Sequence, residues 1–435
     1  MPIDGSETYS IARYLGIDDL SDPTFTTDGT LLYLADTTGS PDVWRAADDT
    51  PERLTSHSQR VSFVSASPTR PMAIFGMDRG SDERDQLFRY DLRDGRETDL
   101  TRDPTAIHSW GGWAPDGDRF AYAANRRTAD TFDVHVQRYD EPASDSDRVL
   151  RGSGGFLSVE AWGPDGDRLA LVDARASFAQ DLYVLELAAA DGSGAGLTRV
   201  NPDQDRTYAD PTFGADGGLY ARTNQPGDHT ALVRFDLDAV DERPGEERAS
   251  GRDDPAMAVV AARDGWNVDG HALNRETGRL AYTVNVDGYS ELVVGTLDDP
   301  TTFRWTAAPD TASDAADAGV IETITWGPAG ERLAVAHSAS DRPHRILAVD
   351  CAAMEPTTRV AASHGTLGIP ASNFPAPEVI RYETFDGREI PAYWTLPPGR
   401  DDGDVPVIVD IHGGPEHQRR PWFYPMKAAF LERGY

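Results

Sequence analysis

The sequence has 435 residues, and 39% of them are hydrophobic, so the chain can bury a large core in two to four domains. Net charge is -32 and the sequence pI is about 4.5, which excludes nucleic acid and anionic membrane surfaces as favoured partners. There is no apolar run of eighteen or more residues and no signal-peptide pattern at the N-terminus, so we expect no membrane span and a cytoplasmic protein.

The acidic residues are spread along the whole chain, and Lys427 is the single lysine among 41 basic residues. Two interpretations compete: a protein that binds cations or basic partners, and a protein adapted to molar salt. At molar salt, screening over roughly 3 Å removes the repulsion between carboxylates. The even spread and the near absence of lysine favour a high-salt organism.

Candidate metal and cofactor sites are few. The single cysteine, Cys351, excludes an internal disulfide and a cysteine-based zinc site, and we expect it to be a small buried hydrophobe. The stretch 201–212 begins like a calcium loop but has Arg206 and Thr212 where such a loop needs glycine and glutamate. We therefore predict no metal site and no cofactor.

Residues 1–20 form an N-terminal segment that we expect to dock on the C-terminal part of the chain. A repeat then occupies residues 21–365: an aromatic or apolar residue, a turn with Asp-Gly, and an alternating apolar strand. Copies begin with "FTTDGTLLYLAD" and "WAPDGDRFAYAAN", and a degenerate copy, "ASPTRPMAIFGMD", lacks the glycine. The turn glycines are Gly29, Gly117, Gly166, Gly217, Gly278 and Gly330.

Each copy is followed by a second alternating strand, and each unit has room for four short strands. Seven such units predict a mainly β protein containing a seven-bladed β-propeller, because blades bury their faces against their neighbours. An all-β sandwich with similar turns is the alternative. The acidic insertion at 238–255 is expected to be a solvated loop.

The residue composition and the predicted secondary structure change after the repeats. Residues 366–378 are rich in Gly, Pro, Ser and Ala and indicate a linker. In residues 379–435 we predict a hairpin around Asp386-Gly387, then a strand at 405–411 that is covered on both faces. A Gly-Gly turn comes next, and then a helix at 424–435 whose C-terminus is capped by Gly434.

Strand, strand, strand, glycine turn and helix is the opening of an α/β-hydrolase domain. In that fold, a backbone N–H after the third strand helps to form the oxyanion hole. Glycine suits this place because the backbone must approach the oxyanion closely. A Gly-Gly turn of any other α/β protein is the alternative for "HGG" taken alone.

The strings "VIRYETFDGREIPAYWTLPPG", "VPVIVDIHGGPEHQRRPWF" and "FLERGY" resemble the prolyl oligopeptidase family of serine peptidases. The acylaminoacyl-peptidase-like or dipeptidyl-peptidase-like branch is the most similar, and the preceding repeats resemble that family's gating propeller. The resemblance implies that Gly414 donates an oxyanion-hole N–H and that Gly413 gives the turn its freedom. It also implies that His412 and Pro415 support the loop, and that His412 is not the catalytic histidine.

The family needs a serine in G-x-S-x-G, followed by Asp and His, and no serine of this sequence has glycine on both sides at that spacing. We therefore expect a seven-bladed β-propeller followed by the first strands and helix of an incomplete α/β-hydrolase domain. The chain would be the N-terminal portion of a peptidase for short peptides, truncated before the triad and inactive alone. The missing C-terminal hydrolase half would act in trans, because the strand at 405–411 would otherwise have open edges. The alternative function is a non-catalytic propeller that binds peptides or a protein partner.

Overall fold

A computed structural model describes residues 8–47, 50–202, 205–242, 254–299, 303–306, 318–353, 356–397, 399–400, 405–414 and 417–435. Seven four-stranded antiparallel sheets dominate it, and each sheet is built from four strands that are consecutive in the chain. Within a sheet, each strand pairs with the next one along the chain.

The strands of the first three sheets are β1 (Leu20–Phe25), β2 (Leu31–Ala35), β3 (Asp42–Arg45), β4 (Glu52–Arg53), β5 (Val61–Ala66), β6 (Met72–Met77), β7 (Gln86–Asp91), β8 (Glu97–Asp99), β9 (His108–Trp113), β10 (Arg119–Thr128), β11 (Thr131–Arg138) and β12 (Asp147–Leu150). The next two sheets contain β13 (Phe156–Trp162), β14 (Arg168–Ala176), β15 (Ala179–Glu186), β16 (Leu197–Arg199), β17 (Tyr208–Phe213), β18 (Leu219–Thr223), β19 (Ala231–Phe235) and β20 (Met257–Ala261). The last two contain β21 (Asn267–Asn274), β22 (Arg279–Val286), β23 (Tyr289–Thr296), β24 (Phe303–Thr306), β25 (Val320–Trp326), β26 (Arg332–Ala339), β27 (Arg342–Asp350) and β28 (Thr357–Ser363).

The sheets are arranged as the blades of a propeller. The first strand of each blade is the innermost one: β1 contacts β5 and β25, β13 contacts β9 and β17, and β21 contacts β17 and β25. Because β1 also contacts β26 and β27, the last blade closes the ring on the first. The predicted seven-bladed β-propeller is therefore confirmed, and the sandwich alternative is excluded.

Each copy of the sequence repeat supplies the end of a first strand, the turn and the second strand. The predicted turn glycines have φ between 66° and 78°, the left-handed region that favours glycine. In the first blade, Gly29 N–H donates to the Thr26 carbonyl at 2.9 Å. The degenerate copy uses Ser67 instead, whose hydroxyl accepts from the backbone N–H of Arg70 at 3.2 Å.

The aromatic residue that opens several copies joins neighbouring blades. Three indole N–H groups donate to a carbonyl on the innermost strand of the preceding blade, at 3.0–3.1 Å. The pairs are Trp113 with Ser65, Trp162 with Gly112, and Trp326 with Ala272. Trp162 is 1% exposed and packs in an apolar core between the third and fourth blades. The repeat thus encodes both the turn and the contact between blades.

No strand crosses from one blade to another among the described residues, so the first and last blades are joined through side chains. Their shared core contains Leu20 and Tyr33 from the first blade, and Ala334 and Ile346 from the last. Arg332 also donates to the Gly29 carbonyl at 3.4 Å. In the part of the chain that the structure describes, the closure of the ring therefore depends on packing and side-chain hydrogen bonds, since no shared ladder connects these blades there.

One difference from the sequence interpretation lies in the acidic insertion of the fifth blade. The insertion predicted as a loop at 238–255 begins with helix α1 of the fifth blade (Leu237–Glu242), in which Val240 is 1% exposed. Val240 packs in the core between the fourth and fifth blades, which explains why this part is ordered. Residues 243–253 of the insertion lie outside the described residues.

Cys351 is buried, as predicted, and burial raises the pKa of its thiol to about 11.

Beyond the propeller, β29 (Glu378–Glu383) and β30 (Glu389–Trp394) form the predicted hairpin. Gly387 lies in its turn with φ 79° and donates to the Thr384 carbonyl at 2.9 Å. The helix predicted at 424–435 is present as Pro425–Glu432, and Gly434 comes after it with φ 85°. The remaining α-helix of the described residues lies near the N-terminus, at Ile11–Leu15, and short 3-10 helices are present at Ala143–Asp145 and Ala371–Asn373.

The expectation of a doubly covered strand at 405–411 is wrong in this structure. These residues form no ladder with any described strand. Val407, Val409 and Ile411 are 60%, 77% and 78% exposed. An apolar stretch becomes a buried strand only when neighbouring strands and helices cover it, and the described chain provides none here. Among the described residues, the third strand of the predicted hydrolase sheet is therefore not formed.

The chain segments before the first blade and after the last one pack on each other. Tyr14 of helix Ile11–Leu15 shares a buried cluster with Phe374, Phe423 and Ala428. The cluster contains aromatic edge contacts, with the rings of Tyr14 and Phe374 6.0 Å apart. No helix among the described residues is long and apolar enough to cross a membrane.

Candidate functional site

The glycine loop at 412–414 is open to approach from solvent. Gly414 has φ 61°, a conformation that other residues adopt only with strain. A Cβ added at Gly413 or Gly414 would meet no atom within 4 Å. His412 is exposed, and its Nδ1 lies 3.2 Å from the Gly413 carbonyl oxygen. Pro415, which was expected to support the loop together with His412, lies outside the described residues.

Charged residues connect the two ends of this loop. Arg419 Nε donates to the Asp410 carboxylate at 2.8 Å, so an ion pair joins the residues on either side of the glycines. The Arg419 guanidinium also lies over the ring of Tyr424, 4.9 Å from its centroid. Burial lowers the pKa of Lys427 to about 8, although the charge of Asp341 acts in the opposite direction. The single lysine of the protein is thus placed in a half-buried position close to the loop.

The segment after the loop, residues 417–424, is bound to the sixth and seventh blades. Asn285 donates to the Gln418 side chain at 2.8 Å, and the Phe423 N–H donates to Ser338 Oγ at 2.7 Å. Arg420 pairs with Asp269 at 2.5 Å. These contacts fall on the innermost strand of the sixth blade and on the hairpins between the second and third strands of both blades.

The hairpin β29–β30 is bound at the same place. The Tyr393 hydroxyl donates to the Asp287 carbonyl at 2.5 Å, and Arg381 pairs with the Asp287 carboxylate at 2.6 Å. Asp287 and Gly288 form the turn between β22 and β23. The loop at 412–414 is therefore carried by a segment that is anchored on one face of the propeller.

Every innermost strand has an irregularity in its pairing with the second strand of the blade. At such a bulge one residue has no partner in the ladder, and its side chain can be directed away from the sheet. In five of the seven blades the unpaired residues include a carboxylate. These carboxylates are Asp22, Glu160, Asp210, Asp269 and Glu322.

Carboxylates at the bulges of adjacent blades act on each other electrostatically. Burial raises the pKa of Glu160 despite the exposure of its side chain, and Asp210 of the next blade adds to the shift. Burial also raises the pKa of Asp22, with a contribution from Glu322 of the last blade. The bulge carboxylates of adjacent blades therefore influence each other's ionisation, while Asp210 and Asp269 are paired with Arg222 and Arg420.

The sequence analysis did not identify these bulge carboxylates. A signal is present, because these acidic residues precede the turn glycines of their copies by six to nine positions. However, the recognisable part of each copy starts only at the aromatic residue of the turn, and the bulge before it interrupts the alternation that marks a strand. Among the described residues, no group of three or more His, Cys, Asp or Glu side chains has a geometry that could hold a metal ion.

The fold resembles that of solved peptidases. Prolyl oligopeptidase B from Galerina marginata, as a serine-to-alanine mutant bound to a 35mer hydrolysis and macrocyclization substrate, matches with a TM-score of 0.73 and 15% identity over 97% of this chain. The apo protein matches with a TM-score of 0.68 and 15% identity, also over 97% of this chain. A chain from a structural and mechanistic study of two prolyl endopeptidases gives a TM-score of 0.67 and 14% identity over 88% of this chain.

No protein-family model matches the sequence, and no curated protein matches it. The present chain spans 62% of the length of the two Galerina structures and 55% of the third. At 14–15% identity the likeness establishes a common fold. It covers the propeller together with most of the C-terminal segment, so the structural neighbours are prolyl oligopeptidases with the same seven-bladed domain.

Proposed function

We propose that this chain forms the propeller and the first part of the catalytic domain of a serine peptidase that is related to prolyl oligopeptidases and cleaves short peptides. The observation that carries the proposal is the likeness over 97% of the chain, which extends past the propeller to the segment with the glycine loop. We assign it to the acylaminoacyl-peptidase-like branch on the HGGP string. The propeller would limit access to peptides small enough to pass its channel.

In this proposal Gly414 contributes to the oxyanion hole. Acyl transfer places a negative charge on the substrate oxygen, and a donor 2.7–3.1 Å from that oxygen stabilises it. The open space around Gly413 and Gly414 leaves room for that oxygen. His412 and Pro415 would support the loop, since neither belongs to a triad in this arrangement.

The nucleophile, its histidine and its aspartate would come from a segment outside these 435 residues, within which no G-x-S-x-G occurs. The exposed stretch at 405–411 supports such a partner, because its apolar side chains would be buried by further strands. Residues 1–435 alone would then give no turnover, and the partner would be the remaining hydrolase half, supplied in trans or in the same polypeptide.

Complementation tests this proposal. The chain, a polypeptide that carries the serine elbow and the rest of the hydrolase domain, and the mixture are assayed with a chromogenic N-acylaminoacyl ester and with a fluorophosphonate label. We expect ester hydrolysis and labelling of the partner's serine only in the mixture. If the mixture stays inactive while the chain binds peptides, the protein is a non-catalytic propeller and the proposal fails.

Two pairs of variants sharpen the test. Val409→Asp should abolish complementation, whereas Val360→Asp, at another exposed valine on the outer strand β28, should leave it intact. In the active mixture, Gly414→Ala should lower kcat by about tenfold or more, towards the roughly 10²–10³-fold effect of losing an oxyanion donor. Gly413→Ala is the control, because the left-handed φ belongs to Gly414. Equal kcat values for both glycine variants would contradict the assignment of Gly414.

A further inference from the structure

A pocket of about 270 Å³ lies between the sixth and seventh blades, where residues 417–424 cover them. Its wall includes Asp269 and Glu322, which are the bulge carboxylates of these two blades, and Arg420 and Trp422 from the covering segment. The volume is close to the lower end of the range for small-molecule sites, about 300–1,000 Å³. Three separate parts of the chain thus form one concave site.

The polar groups of this pocket leave an excess of negative charge. The Arg420 guanidinium pairs with Asp269 and also donates to the Gly288 carbonyl and to Ser290 Oγ, each at 2.8 Å. The charge of Arg420 is therefore compensated within the wall. Glu322 is 38% exposed and lies 3.4 Å from His344.

The imidazole of His344 cannot fully neutralise Glu322. Its other nitrogen lies 3.0 Å from Asp19, so one imidazole is shared between two carboxylates. With His344 protonated, the group of Asp19, Glu322 and His344 still carries one net negative charge. A ligand that adds one positive charge beside Glu322 would complete the compensation, because a carboxylate forms its stronger hydrogen bonds with charged donors.

The rest of the wall is apolar. Val320 and Ile321 are 2% and 5% exposed, and Ile324 and Trp422 complete this side. Gly270 also lines the pocket, and a Cβ there would lie 3.1 Å from the Thr283 hydroxyl. A side chain at this position would enter the space that a ligand needs. The pocket therefore combines one uncompensated carboxylate with an apolar surface and a position kept free by glycine.

We propose that this pocket binds a small organic cation, a primary ammonium group carried on a short apolar body. The ammonium donates to Glu322, and the apolar body lies against Ile324 and Trp422. Since the wall includes both blades and the covering segment, the bound cation ties residues 417–424 to the propeller. The inference concerns binding alone and stands whether or not the chain belongs to a peptidase.

Isothermal titration at constant molar KCl and neutral pH tests it with phenethylammonium as the probe. Phenethyl alcohol serves as the neutral analogue and hydrocinnamate as the anionic one. Glu322→Gln keeps the shape of the side chain and removes its charge. Glu160→Gln is the matched control, since Glu160 is an exposed bulge carboxylate of the fourth blade that does not line the pocket.

We expect phenethylammonium to bind, with an affinity about tenfold or more weaker in Glu322→Gln and unchanged in Glu160→Gln. The alcohol should bind at least about tenfold more weakly than the ammonium. Gly270→Val should remove binding, with circular dichroism confirming that it is folded. Unchanged affinity in Glu322→Gln, equal affinity for the alcohol, tighter binding of hydrocinnamate through Arg420, or no binding of the cation would each overturn the proposal.

Discussion

Acid should destabilise the third blade through His108. This side chain is 1% exposed, and both ring nitrogens have partners. Nδ1 lies 3.0 Å from the Asp85 carbonyl oxygen, and Nε2 is 3.0 Å from Arg126 Nε, which can only donate. Protonation of Nε2 would break the bond to Arg126 and place two cations side by side. Burial first, and then the charge of Arg126, lower the pKa of His108 to about 4.

The sign and size of the effect follow from linkage. In the unfolded chain this histidine titrates near 6.5. Between pH 6.5 and pH 4 the unfolded chain therefore binds a proton that the folded protein does not bind, so the free energy of unfolding falls as the pH falls. The loss is about 1.4 kcal/mol per pH unit between the two pKa values, or about 2 kcal/mol at pH 5 and about 3 kcal/mol at pH 4. The contribution of His108 is complete above pH 6.5.

Urea unfolding at about pH 7 and about pH 5, at constant molar KCl, measures this effect in the wild type and in His108→Gln. The loss of unfolding free energy between the two pH values should be about 2 kcal/mol smaller in His108→Gln. His229→Gln, at an exposed histidine, is the control and should behave as the wild type. NMR of carbon-13-labelled histidine gives a direct check. Titration of His108 near its ordinary pKa, or an unchanged pH dependence in His108→Gln, would refute the reasoning.

Three further predictions concern stability. Burial alone would lower the pKa of His344, but its hydrogen bond with Glu322 and nearby acidic charges raise it. Its contribution to stability is therefore complete below pH 6.5 and lost as the pH rises through the raised value, and His344→Gln should remove this alkaline loss from urea unfolding curves. Gly111→Ala should cost about 1–3 kcal/mol, because its Cβ would lie 2.5 Å from the Val159 Cβ of the next blade. Gly227→Ala, with nothing within 4 Å, should stay within about 0.5 kcal/mol in the same urea assay. The melting temperature should rise as KCl increases from about 0.1 M to molar levels. The screening length falls from about 10 Å to about 3 Å over this range, which weakens the repulsion within a chain of net charge -32. A constant or falling melting temperature would contradict the high-salt interpretation.

The propeller could be predicted from the sequence because its signals are local. A turn that needs a left-handed residue selects glycine, as at Gly117 and Gly166, whatever surrounds it. The strand after each turn is apolar, and in β2 and β6 it is buried on both faces because blades cover it on either side. Val240 was missed for the opposite reason: its burial depends on the core between the fourth and fifth blades, while the charged residues around it indicate a loop.

The candidate site was predicted less completely. The sequence alone predicted a glycine turn at 412–414, and Gly414 has the left-handed conformation that such a turn requires. The exposure of Val409 could not follow from composition, because apolar content is the same in a covered strand and in an uncovered one. The carboxylates at the bulges, such as Glu322, depend on a shift in strand register, which is a property of two paired strands and of neither sequence alone.

The closure of the ring explains why the two ends of the chain lie together. Without a shared strand, the first and last blades would be separated by any motion that breaks their side-chain core. The segment that enters the first blade and the segment that leaves the last one are joined directly, since Arg13 Nε donates to the Leu367 carbonyl at 2.8 Å. Glu432 extends this link, because it accepts from the Tyr9 N–H at 3.1 Å and from the Asn373 amide at 3.0 Å. The helix after the glycine loop therefore stabilises the contact between the first and last blades, which share no strand among the described residues. The position of that helix and the closure of the ring are coupled.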